Sequence, residues 1–156
     1  MSRRNISKKR FPELDTFYNS YLVSLLIKRI LRSGKKNLAQ RIVYQCFEII
    51  KIKSNQDPLE IFEKAVRNAS PIVEVKARRV GGSVYQVPIP ITPFRATNLS
   101  LSWLIRFSKR RSGYNMSIKL ANEILDASNK IGNTIKKKEE VHKMADSNKA
   151  FSHFRY

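Results

Sequence analysis

PIVEVKARRVGGSVYQVPIPITP, from Pro71 to Pro93, is the one stretch of the chain in which residue character alternates with a period of two. Ile72 to Val80 and Val84 to Ile91 are rich in Val, Ile and Tyr, which favour a pleated strand. Between them Gly81, Gly82 and Ser83 tolerate the positive φ of a tight turn. A β-hairpin follows. On its first strand Val73, Val75 and Ala77 face one way and Glu74, Lys76 and Arg78 the other, with Arg79 continuing the small apolar face, so the tip is positive on both faces. Pro88 and Pro90 lie two apart and remove amide donors from one edge of the second strand, so that edge pairs with nothing. An isolated two-stranded ribbon is marginal in water. A basic ribbon therefore points to an anionic partner.

Outside the ribbon the pattern is helical, and the fold class is mainly α: a six-helix body with a protruding two-stranded antiparallel β-hairpin, in a single domain over residues 1–156. Leu22, Leu25, Leu26 and Arg29 predict a first helix from about Asn19 to Ser33, with Gly34 as its C-cap. A second, about Leu38 to Lys53, buries Ile42, Val43, Cys46, Phe47 and Ile50, which places Cys46 in the core. Asp57, Pro58 and Glu60 form an N-cap, first-turn proline and capping acid for a third helix reaching about Ala69. Thr97 is the expected cap of a fourth, carrying Leu101, Trp103, Leu104 and Ile105 inward and ending near Gly113. A fifth runs from about Asn115 to Asn129. A sixth, capped by Asn133 or Thr134, reaches about Lys149 with Val141, Met144 and Ala145 on one side.

The charge is lopsided. Lys and Arg number 31 against 12 Asp and Glu, a formal net charge of +19 alongside 42% hydrophobic residues, which is a folded protein with a polyanion for a partner. The cations gather at five places. The first is a basic N-terminal arm, residues 1–18, holding Arg3, Arg4, Lys8, Lys9 and Arg10. The second is the turn after the first helix, with Lys28, Arg29, Arg32, Lys35 and Lys36. The third is the hairpin, with Lys76, Arg78 and Arg79, followed by Arg95. The fourth is the end of the fourth helix, with Lys109, Arg110 and Arg111. The fifth is the start of the sixth, where Lys136, Lys137 and Lys138 oppose the helix dipole and call for a compensating anion such as phosphate. With about eight phosphates engaged, affinity falls with salt at a log-log slope of about −6 to −7. Tyr85, Gln86 and Arg79 are the hairpin residues suited to unpaired bases of folded RNA.

Catalysis has little to stand on. His142 and His153 lack an H-x-x-x-H partner, Glu139 and Glu140 suit ion pairs with nearby lysines, and Gly81-Gly82 lacks the frame of a phosphate loop. No metal or cofactor is expected, a single cysteine excludes an intrachain disulfide, and neither a membrane span, a signal peptide nor a transit peptide is apparent. The closing residues 150–156 hold Phe151, His153, Phe154 and Tyr156, which are read as a tail that docks on a neighbouring protein. An architectural DNA-binding protein with a basic ribbon is the competing reading.

The hairpin core VEVKARRVGGSVYQVP (Val73 to Pro88), the turn RSGKK (Arg32 to Lys36), VHKMADSNKAF (Val141 to Phe151) and the close HFRY (His153 to Tyr156) resemble small-subunit ribosomal protein seven of the bacterial and organellar type. The likeness runs in order across essentially the whole chain. It implies a non-enzymatic protein that binds the 3′ major domain of small-subunit ribosomal RNA, nucleates assembly of the head, and lies near the tRNA exit site and the messenger path. It further implies that the C-terminal region approaches small-subunit ribosomal protein eleven. By position, the implied RNA contacts are the arm cations, Lys35, Lys36, Lys76, Arg78 and Arg79 with the Gly81-Gly82 turn. The family commonly has a denser arginine run after Pro93, where this chain has Arg95-Ala96 and Ser102-Trp103, leaving Arg106 and Lys109 to Arg111 farther along. Heavy use of Lys, Ile and Asn fits an AT-rich genome, a plastid before a mitochondrion, with a low-GC bacterium similar in appearance.

Overall fold

The computed structural model describes residues 12–155. The cations Arg3, Arg4, Lys8, Lys9 and Arg10 of the arm, and Tyr156, lie outside the described residues. Six α-helices and one antiparallel ribbon follow in order: α1 Tyr21–Ile30, α2 Lys36–Ser54, α3 Pro58–Ala69, β1 Val73–Val80, β2 Ser83–Pro90, α4 Pro93–Arg110, α5 Met116–Ser128 and α6 Asn133–Ser147. A short 3-10 segment, Lys149–Arg155, closes the chain.

Helix α5 organises the body, packing against α2, α3 and α4. Phe47, Phe62, Leu26, Leu101, Leu104, Leu120 and Ile124 are fully buried together, and Cys46 lies among them as expected. Burial raises the Cys46 thiol far above its ordinary pKa, because a thiolate there would lose its hydration. At α3 the cap reads as the sequence does: Pro58 occupies the first turn and the Asp57 carboxylate accepts the Leu59 N–H at 3.1 Å. No helix among the described residues is long and apolar enough to cross a membrane.

Three boundaries differ. α1 ends at Ile30, and the turn to α2 is made by Ser33 and Gly34, both at positive φ, so Gly34 shapes a connection and does not cap the helix. α4 begins at Pro93 behind an N-cap at Thr92, one turn before Thr97, whose hydroxyl donates to the Pro93 carbonyl. Proline lacks an amide donor that the first turn does not use, so Pro93 starts the helix where it looked like the end of the ribbon. Residues 12–18, which the sequence assigns to the arm, belong to the body. Asp15 is buried and accepts the Tyr44 hydroxyl at 3.0 Å, and the Tyr18 ring packs on Phe47.

The hairpin pairs in a single register from Val73↔Pro90 to Val80↔Ser83, and β2 pairs with β1 alone. Gly81 and Gly82, at φ 58° and 88°, make the two-residue turn. Residues 79–84 at the tip are exposed, while Glu74 and Val87 on one face and Pro88 on the other are buried at the base. Glu74 anchors that base, accepting from Arg95 at 2.8 Å with Lys76 at 3.3 Å, and the Ile72 N–H donates to Nε2 of His142 on α6 at 3.2 Å.

Candidate nucleic-acid interface

Packing brings two of the basic groups together along α4, with Arg29 of α1 beside them. Lys28, Arg32, Lys35 and Lys36 are exposed around the α1–α2 turn, where Lys28 and Lys36 line a separate hollow with Glu13 and Asp15. Arg29 ties that turn to α4 by donating to Ser102 Oγ and to Asn98 Oδ1, and burial lowers its pKa because the charge is partly stripped of water. A groove lined by Arg29, Ser102, Arg106, Lys109 and Arg110 runs along α4. The next, between α4 and α6, is lined by Arg106, Phe107, Arg110, Asn133, Lys136, Lys137 and the single acid Glu140. Arg106 and Arg110 belong to both, so α1, α4 and α6 present one continuous cationic face. The Arg110 guanidinium also lies 5.8 Å from the centre of the Phe107 ring, which orients it at the rim.

Arg106, which the sequence offers only as a cation remaining along the fourth helix, is the residue that joins the two grooves. Its signal was present: it lies three and four residues before Lys109 and Arg110, the spacing of one helical face.

Several expected phosphate contacts have partners within the protein instead. Arg111 ion-pairs with Glu123 and Asp126 on α5. Burial works against its charge, but those two carboxylates outweigh it and hold the guanidinium above the ordinary arginine pKa. Glu123, fully buried, also accepts from the Thr134 N–H at 3.1 Å and from the Thr134 hydroxyl. That carboxylate sits at the N-terminus of α6. It supplies from inside the negative charge that the three lysines of the first turn led the sequence reading to seek in phosphate. Among those lysines, Lys138 donates to the Asn68 carbonyl at the end of α3, and burial, then the Lys130 charge, lowers its pKa. Lys137 pairs with Glu140 at 2.8 Å, which lowers the exposed Glu140 carboxyl below its ordinary value; Lys136 is exposed. Arg95 is held by Glu74 at the hairpin base.

The C-terminal segment has contacts within the chain as well. It folds back on the hairpin: Phe151 and Phe154 lie 5.3 and 5.1 Å from the Tyr85 ring, and Arg78 donates to the Phe154 carbonyl. Tyr85 is therefore covered on that side, whereas Gln86, Arg79, Gly81, Gly82 and Ser83 remain exposed. His153 is exposed, its Nδ1 at 2.8 Å from the Ala150 carbonyl.

A cationic face of this kind binds phosphate without reading sequence, by releasing counterions. The grooves across it hold no arrangement of nucleophile and base.

Comparison with known proteins agrees over nearly the whole chain. The family model described as ribosomal protein S7p/S5e matches residues 2–149. Small ribosomal subunit protein uS7c of Trieres chinensis is 74% identical over 144 residues, covering 92% of this chain and 91% of that one. Small ribosomal subunit proteins uS7 of Gloeothece citriformis and Thermosynechococcus vestitus are 56% and 54% identical over 156 residues, 100% of each chain.

Proposed function

The chain belongs to the ribosomal protein S7p/S5e family, and from that premise we propose that it docks its α1–α4–α6 face and its hairpin tip on folded ribosomal RNA of the head. As a family member it is a structural constituent of the small ribosomal subunit, of plastid or bacterial type, and not an enzyme. Its partners are ribosomal RNA and other ribosomal proteins.

The observation that carries the finer reading is the pair Arg106 and Arg110, shared by two adjoining grooves so that cations from three helices form one surface. Such a surface suits an irregular RNA fold, which presents phosphates at several angles. In this reading the 3′ major domain is the RNA bound, and binding there nucleates head assembly. Lys28, Arg32, Lys35, Lys36, Arg106, Lys109, Arg110, Lys136 and Lys137 hold position. The exposed tip, with Arg79, Gly81, Gly82, Ser83 and Gln86, reaches toward the exit-site tRNA and the messenger, and the segment around His153 faces protein eleven. Arg111, Lys138 and Arg95 support the elements that carry the contacts.

The test is a titration of the purified protein with a head-domain RNA fragment and with duplex DNA of equal charge at matched salt. Much tighter RNA binding is expected. Equal affinities would replace this reading with that of an architectural DNA-binding protein.

A further inference from the structure

A second surface, remote in chemistry from the cationic face, lies where residues 17 and 18 cross α2 and the start of α3. Four rings cluster there. Phe17 to Tyr18, Tyr18 to Phe47, Phe17 to Tyr44 and Tyr18 to Tyr44 are separated by 4.9, 4.9, 5.6 and 5.9 Å between centres. Phe17 is 74% exposed although it belongs to this cluster, and Ile52 on α2 is exposed as well. Two adjoining hollows share Phe17, Tyr18, Lys51 and Pro58; Asp57 lines one and Glu48 the other. Burial first raises the Tyr18 pKa, and the Glu48 and Asp57 charges, then Tyr44 and Asp15, raise it further. Lys51 is the one cation in the lining, set against Glu48 and Asp57. Asp15 is not available to a ligand, since it accepts the Tyr44 hydroxyl and the N–H groups of Phe17 and Tyr18.

On a chain of formal net charge +19, an aromatic floor lined by two carboxylates and one lysine differs in charge from the phosphate-binding face. We propose that this groove takes a cationic segment of a neighbouring protein, with an arginine or lysine side chain laid over the Phe17 and Tyr18 rings between Glu48 and Asp57. The chemistry is that of a cation held by ring faces, with carboxylates at the edge to set its position. Exposed aromatic surface is what a protein interface core uses and what a phosphate backbone does not need. Charge complementarity selects the partner: the other cations of this chain repel a basic peptide, so it is held only beside the Glu48 and Asp57 carboxylates. The groove is independent of the RNA face, and either reading stands if the other falls.

The experiment uses the full chain and a fluorescein-labelled peptide of alternating arginine and leucine, read by anisotropy, with the glutamate-for-arginine peptide as control. Head-domain RNA affinity is measured in parallel. Glu48→Gln with Asp57→Asn removes both charges while the asparagine still caps α3. This pair is expected to weaken the arginine peptide about tenfold, and Phe17→Ala to weaken it by a similar factor. Lys51→Gln is expected to strengthen it. RNA affinity is unchanged in all of these, and melting temperatures show that each variant folds. Equal binding of the glutamate peptide, or peptide binding indifferent to the variants, would overturn the proposal. So would RNA affinity that rises on removing the acids, which would put RNA in the groove.

Discussion

Arg111→Ala distinguishes an internal strut from a phosphate contact. In the wild-type protein the Arg111 side chain, 23% exposed, donates from Nε to the fully buried Glu123 at 2.5 Å and from Nη2 to Asp126, which is 42% exposed. Alanine leaves Glu123 buried with the Thr134 N–H and hydroxyl as partners but without its counter-charge. A charge-assisted hydrogen bond of this kind contributes about 1.5–3 kcal/mol, while the exposed Asp126 arm adds about 1 kcal/mol or less. The expected loss is about 3 kcal/mol, which for a chain of this size lowers the melting temperature by about 6–12 °C. Arg111→Lys recovers part of it, since an ammonium does not span both acids as the guanidinium does. The assays are urea denaturation and the salt dependence of RNA binding. The slope against salt is expected to stay that of the wild type. A melting temperature within about 2 °C of wild type, together with a slope reduced by about 0.7–0.9, the value of one lost phosphate, would refute the reasoning.

Arg106 and Arg110 changed together to alanine should do the reverse, lowering the salt slope by about 1.4–1.8 and changing stability by no more than about 0.5 kcal/mol, as both are exposed. Cys46, fully buried and with its thiol pKa raised, should resist a thiol reagent at mildly alkaline pH and react only on unfolding; labelling of the native protein would contradict its placement in the core. Phe151→Ala with Phe154→Ala should free Tyr85 and speed amide exchange in β2, at a cost of about 0.5–1.5 kcal/mol for each ring pair lost. Unchanged exchange would mean the segment does not hold the hairpin.

Much of the fold was legible because it is local. The alternation around Gly81 and Gly82, the Asp57-Pro58 start of α3 and the stripe holding Cys46 each depend on neighbours within a few residues, and each stands in the structure as read. The start of α4 was misplaced because Pro93 suits the end of a ribbon and the first turn of a helix equally. Cations were harder to assign. Arg111, Lys138 and Arg95 look like any other member of a basic run until the acid or carbonyl that holds each one is known.

By itself the sequence determined the mainly helical class, the ribbon, the excess of positive charge and the family, since periodicity, turn chemistry and motif are written in consecutive residues. Only the tertiary structure decided which charges face outward. It set Glu123 under the first turn of α6, held Arg29 against α4, joined Arg106 and Arg110 to Lys136 and Lys137, and folded Phe151 and Phe154 over Tyr85. An ion pair or a ring contact depends on distance in space. Residues far apart in the chain acquire that distance only when the core has packed.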